Sequence, residues 1–299
     1  MHELSVIADY QDRCGEGPLW DGSHKRLYWT DCLGLRFYRY DWPSKKHQIV
    51  REGFEIKGFA LHQDGGFVIS NTSGIWLWDG AGTPKMICAE SDGFPCKAND
   101  CIADPAGRLL AGLFYYDTSK DYPLGKLLAV DTDGTSRILD EGFHLANGLG
   151  FSPDAKTLYF TDSVARCIFA YDYDAATGSV KNRRIFVRVP PTSGIPDGLT
   201  VDAEGFVWSA EWYGSCVVRY DPGGVIERRI ETPAKQTSSI AFGGPELSEI
   251  FITSAGESTA LPVTPPGYDP HSGYFGGALY SMRLDIQGKP EYLANICPK

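Results

Sequence analysis

Glu16, Asn147 and Asp197 offer two carboxylates and an amide oxygen at one phase of an internal repeat, and Lys57, Asn99 and Ser239 occupy that phase in the other copies. Two carboxylates gathered in one pocket repel each other unless a cation or a proton compensates them. Hard oxygen donors suit calcium, magnesium or manganese, and zinc or ferrous iron also accept carboxylates. Water or substrate would complete the coordination shell. Taken singly, the residues have plainer readings. Asn147-Gly148 and Asp197-Gly198 are common turn pairs, and Lys57 and Ser239 read equally well as channel lining. Glu16 is harder to dismiss, because Gly-Pro and an apolar run follow it and place it beside a core. His144 and His271 read as structural or exposed. There is no GxSxG motif, no convincing P-loop and no dinucleotide fingerprint in a βαβ setting.

The repeat itself predicts the elements that position these residues. Six copies of one unit can be read, beginning EGPLWD, KGFALH, NDCIAD, NGLGFS, DGLTVD and SIAFGG. Each has an apolar run, a turn with Asp or Gly, and a second run rich in aromatic and β-branched residues. The second runs begin near Leu27, Phe67, Leu109, Leu158, Phe206 and Ile250, at separations of 40, 42, 49, 48 and 44 residues. A period of 40 to 50 residues with several strands per unit is that of β-propeller blades. HQIV, PKMIC, SRIL, RRIFVRV and VIERRI supply fourth strands. The expected fold is one all-β domain over residues 1–299, a six-bladed β-propeller with four antiparallel strands per blade. LSVIA near the start, and EYLANI near the end, are the candidates for outer strands of the closing blade, which would remove exposed edges.

In such a fold the first strand of each blade lines the axis, so the six residues just ahead of these strands form a ring at one mouth. The loop after each second strand lies on the same side. Two of these loops are long, from Phe114 to Leu124 and from about Glu257 to Gly276. Long loops in compact domains are often functional, and here both fall on the face carrying the ring. Trp212 and Tyr213 follow the second run of the fifth copy, where they would cap a pocket or pack on a neighbouring loop.

Composition excludes several classes. Net charge is −10 and the densest basic cluster, Arg183-Arg184 near Lys181, is short, so no nucleic-acid partner is expected. No run of about 18 apolar residues is present, so no membrane span is expected. MHELSVIADYQDRC lacks the basic start and apolar core of a signal peptide. Eight cysteines without CxxC pairs then read as reduced, mostly buried thiols in a cytoplasmic protein.

CGEGPLWD with LYWTD, KANDCIADPAGRLLAGLF, LANGLGFSPDAKTLYFTDS, PDGLTVDAEGFVWSAEW and SIAFGGPELSEIFITSAG resemble the regucalcin (senescence marker protein)/gluconolactonase family, in order, from Cys14 to about Leu284. The resemblance implies a six-bladed propeller with one divalent metal, calcium first among the candidates, on Glu16, Asn147 and Asp197. It places a substrate-contacting asparagine on Asn99, with an acidic neighbour at Asp100. Lys97 stands where many members carry arginine, and lysine lacks the planar fork for bidentate contacts. Asp121 lies where an acidic substrate contact is expected. The implied reaction is hydrolysis of a sugar lactone to its aldonic acid, with Asp197 as general base and Lys97, Asn99 and Asp121 holding the sugar. The expected partner is that small molecule, and the expected state a monomer or weak homodimer. Two rivals stand beside this reading. One is hydrolysis of another ester or phosphoester, to which Tyr115, Tyr116, Tyr274 and Phe275 would suit the loops. The other is a metal-binding propeller without catalysis.

Overall fold

Short β-branched and aromatic runs broken by tight turns fold as hairpins. His62-Gln63-Asp64-Gly65-Gly66 shows the device: both glycines have positive φ, and His62 and Gly66 close the turn through the His62 N–H to Gly66 carbonyl bond of 3.0 Å. In the computed structural model, which describes residues 4–114, 124–257, 261, 263–269 and 271–297, these hairpins build six four-stranded antiparallel sheets. Their innermost strands are Gly15–Asp21, Gly58–Leu61, Ala98–Ala103, Ala146–Phe151, Ile195–Val201 and Thr237–Gly243. The six expected blades are therefore present. A two-stranded ribbon, Glu90–Ser91 with Phe94–Pro95, sits between blades two and three and was not anticipated.

Closure is made by the first strand. Ser5–Asp9 pairs with Ala278–Arg283 as the outer strand of blade six, as LSVIA suggested. EYLANI does not join that blade. It crosses the far end of the axis instead, with Ala294 bridged to His62, the Asn295 N–H on the Gly107 carbonyl at 2.7 Å and the Cys297 N–H on Thr132 at 2.8 Å. Its backbone donors are thus satisfied by turns of blades two and three, so a sheet edge is not needed.

Burial follows the radial order. Second strands such as Phe67–Asn71 and Val207–Trp212 are wholly buried, while the outer strand Lys46–Glu52 is largely exposed. Aromatic side chains fill the wedges between blades. Trp20 stacks on Phe251 at 6.2 Å, joining blades one and six. The cysteines are all free thiols, and all but Cys14 and Cys297 are buried.

Candidate functional site at one mouth of the axis

The inner strands are not regular. Pairing slips between Glu16 and Leu19, Ala98 and Cys101, Ala146 and Leu149, Pro196 and Leu199, and Thr237 and Ser239. Blade two pairs without a slip. A bulge leaves a residue unpaired and re-aims its side chain. The ring residues consequently lie inside the first strands rather than just before them, Lys57 excepted. Gly148 and Gly198 are not turn glycines. A Cβ on Gly198 would collide with Ser239 Oγ, and one on Gly148 with the Leu199 amide, so glycine is required where neighbouring inner strands approach.

Asp31 and Asp162 fix the approach to two of the bulges. Asp31 accepts from the Arg13 and Cys14 N–H groups, at 3.1 and 2.9 Å, just ahead of Glu16. Asp162 accepts from His144 and Leu145, at 2.9 and 3.1 Å, just ahead of Asn147. The shared Thr-Asp ending of LYWTD and LYFTD was the signal for these positioning residues, and sequence reasoning missed their role. Glu211 holds the equivalent place in blade five without such donors. Its Oε2 has no partner among the described residues, and burial pushes its pKa up to about 7.

Glu16, Asn99, Asn147 and Asp197 come together on the wall of one cavity of about 190 Å³, with Lys57, Asp100, Ser163 and Trp212. Leu33, Phe114, Leu145, Ile195 and Leu261 supply its apolar side. Ser239 faces a second space of about 70 Å³ further along the axis, and Asp100 borders both. Lys97 is not on the wall: its ammonium lies 5.6 Å from the Phe114 ring centre, and its carbonyl accepts the Phe114 N–H. Asp121, Tyr115 and Tyr116 lie outside the described residues. Within the long second insertion, Leu261 reaches the cavity, and Tyr268 packs on Tyr213 with ring centres 4.1 Å apart. Tyr274 and Phe275 line a separate surface hollow. His144 sits against Asp162, and His271 lies in the insertion; neither borders the cavity.

A chain of side-chain bonds orients the donors. Asn99 Nδ2 donates to Asn147 Oδ1 at 3.0 Å, Asn147 Nδ2 donates to Ser163 Oγ at 2.9 Å, and Ser163 donates to the Pro196 carbonyl at 2.7 Å. With its oxygen accepting from Asn99 and its nitrogen donating to Ser163, the Asn147 amide is fixed from both ends. Asp197 Oδ1 is buried with no partner among the described residues. Burial, then the charges of Asp197, Cys32 and Asp100, pushes the Glu16 carboxyl well above the usual range. Burial, then Asp100 and Cys32, does the same to Asp197, against a bond from Asn147. Burial raises Asp100 to about 6. The ammonium of Lys57 is opposed by burial, but nearby Cys32, Cys14, Glu55 and Glu16 hold its pKa above the ordinary value. Mutually repelling buried carboxylates, an unpartnered carboxylate oxygen and an oriented amide oxygen are the donor set a hard divalent cation fits. At the far face His62, Asp64 and Cys297 also cluster, but both His62 ring nitrogens are taken, by the Asp64 N–H and the Ile296 carbonyl.

Fold and site together define a six-bladed propeller with oxygen donors gathered in a cavity at one mouth of its axis. The chain belongs to the family described as SMP-30/Gluconolactonase/LRE-like region, whose model matches residues 14–256. It is 37% identical over 295 residues to the pentonolactonase XacC of Haloferax volcanii, covering 98% of each chain. It is 33% identical over 294 residues to a 6-deoxy-6-sulfogluconolactonase of Pseudomonas putida, covering 97% of this chain and 98% of that one. Among solved structures, a calcium-binding regucalcin of Agrobacterium tumefaciens superposes with a TM-score of 0.84 at 26% identity, over 98% of this chain and 97% of that one.

Proposed function

We propose that this chain hydrolyses a sugar lactone to its aldonic acid in a divalent-metal-dependent reaction. One observation carries the reading: the buried Asp197 Oδ1, without a partner among the described residues, shares its cavity with Glu16 and with an Asn147 amide held between Asn99 and Ser163. Membership of a gluconolactonase-containing family and likeness to two sugar lactonases support the substrate class. Glu16, Asn147 and Asp197 would hold the cation, calcium first and zinc, manganese, magnesium or iron to be compared with it. Such an ion, when bound, polarises the lactone carbonyl and stabilises negative charge on its oxygen.

The residues of the chain do the rest. Asp197 accepts the proton of an attacking water, working through position because a carboxylate shared with a cation is a weak base. The new C–O bond forms at the carbonyl carbon, the ring C–O bond breaks, and the ring oxygen leaves as the hydroxyl that takes up a proton. Asn99 and Lys57 hold sugar oxygens from the wall. Lys97 acts from behind Phe114, and its substitution for arginine there bears on which sugar is preferred. Apolar residues around the mouth limit competing water.

The apolar side formed by Leu33, Phe114, Leu145, Ile195 and Leu261 favours a second reading, a less polar ester. A pH-indicator assay on metal-stripped protein separates the two. Pentono- and hexonolactones and simple carboxylic and phosphate esters are offered with each cation restored singly, and spontaneous opening is subtracted. Cation-dependent acid release from sugar lactones is expected. Release from the simple esters alone would replace the substrate class, and none at all with cation bound would leave a binding propeller.

A further inference from the structure

Trp212 carries a donor that the protein does not use. Its side chain is 5% exposed, and the indole Nε1–H meets no acceptor among the described residues. Four other tryptophans spend this proton within the chain: Trp29 on Asp12 at 3.3 Å, Trp76 on Asn71 at 3.0 Å, Trp78 on the Ala81 carbonyl at 2.7 Å and Trp208 on Asp202 at 2.9 Å. An indole N–H only donates, and native proteins seldom bury one unmet. Trp212 lines the same cavity as Asp197, whose Oδ1 is also unpartnered. Both belong to blade five, where Trp212 pairs with Ile195, two residues ahead of Asp197. Ile195, Tyr213 and Ala255 pack round the ring and hold it in place.

We propose that Trp212 is a specificity-determining residue, donating its indole N–H to a hydroxyl oxygen of the sugar so that the cavity favours polyhydroxylated lactones over bare ones. The proposal rests on the lactonase reading and deepens it. A cavity wall that keeps one unmet donor penalises a ligand lacking the matching oxygen, since occupation by such a ligand shuts water out without replacing it. With Asp197 as the proposed cation ligand, blade five would contribute to both the electrophilic and the recognition half of the site.

Trp212→Phe keeps an aromatic ring and removes the donor. With pentono- and hexono-1,4-lactones, kcat/KM should fall roughly tenfold or more, chiefly through KM. With unsubstituted γ-butyrolactone it should fall less than about threefold. Equal losses on both kinds of substrate, or no loss on either, overturn the proposal. Indole 15N-labelled protein gives a readout independent of turnover. The Trp212 Nε1–H resonance, assigned through Trp212→Phe, should move downfield when xylonate or gluconate is added to calcium-loaded protein, and should not move with calcium alone. If the wild type opens no lactone, the reaction class fails, and this resonance still decides the donor: a downfield move with aldonate supports it, and a stationary signal overturns it.

Discussion

Asn99 and Asn147, 48 residues apart, share a hydrogen bond of 3.0 Å in which the Asn99 amide nitrogen donates to the Asn147 side-chain oxygen. Asn99 also donates to the Ala146 carbonyl at 3.0 Å, so it grips both the side chain and the strand of its neighbour. Blade three thereby sets the direction of a donor that blade four provides, and Ser163 holds the same amide from its other end.

If Asn147 holds a cation as proposed, this bond makes Asn99 a determinant of cation affinity as well as the proposed substrate contact. Removing a group that orients a ligand typically costs 10- to 100-fold in metal affinity. Asn99→Ala is therefore expected to weaken calcium or zinc binding by about that factor in titration calorimetry. Retention of wild-type affinity would confine Asn99 to the substrate.

Asp197→Asn keeps the shape and removes the charge. Turnover of the best lactone should drop by roughly 10²- to 10⁴-fold, the usual range for loss of a general base. Tight-binding conditions with saturating cation distinguish loss of the base from loss of the ion. Near-normal turnover in cation-loaded protein would remove Asp197 from the chemistry.

The metal-free protein should lose stability as pH rises. Burial raises the carboxyls of Asp12 and Glu211 to about 7 from ordinary values of 3.8 and 4.5. A folded-state pKa raised for an acid means that the folded state holds its proton longer than the unfolded one, so stability falls between about pH 4 and pH 7. For Glu211 the shift corresponds to about 3 kcal/mol. Thermal melts of chelator-treated protein should give a lower Tm at pH 8 than at pH 5, with a flatter dependence in Glu211→Gln. Added cation should raise Tm more at pH 8, where protons compete less with it for Glu16 and Asp197.

Gly198 and Ser239 test the close approach of blades five and six. Gly198→Ala should destabilise by about 1–3 kcal/mol, because the new methyl group meets Ser239 Cβ and Oγ. Ser239→Gly in the same chain removes both atoms and should restore much of the loss. Additive rather than compensating effects in denaturant melts would show that the strands are free to part.

The number of blades, their strands and the ring of donors were legible in the sequence because turn chemistry and β-patterning are local, and six copies in phase turn a local pattern into an axis. The closing role of LSVIA was legible for the same reason. Atomic direction was not. Whether Glu16, Asn147 and Asp197 face a common cavity depends on bulges that slip the pairing of their three inner strands, and on glycines fitted against the next blade. Lys97 stands next but one to Asn99 in the chain, yet it stays off the cavity wall behind Phe114. EYLANI has the pattern of a strand, yet its partners across the far end of the axis are turns from other blades. The unpartnered proton of Trp212 has no sequence signature, because being unpartnered is a property of everything packed around it. Repeat phase determined which residues meet, and ring closure, which brings together atoms far apart in the chain, decided which of their atoms are left for a ligand.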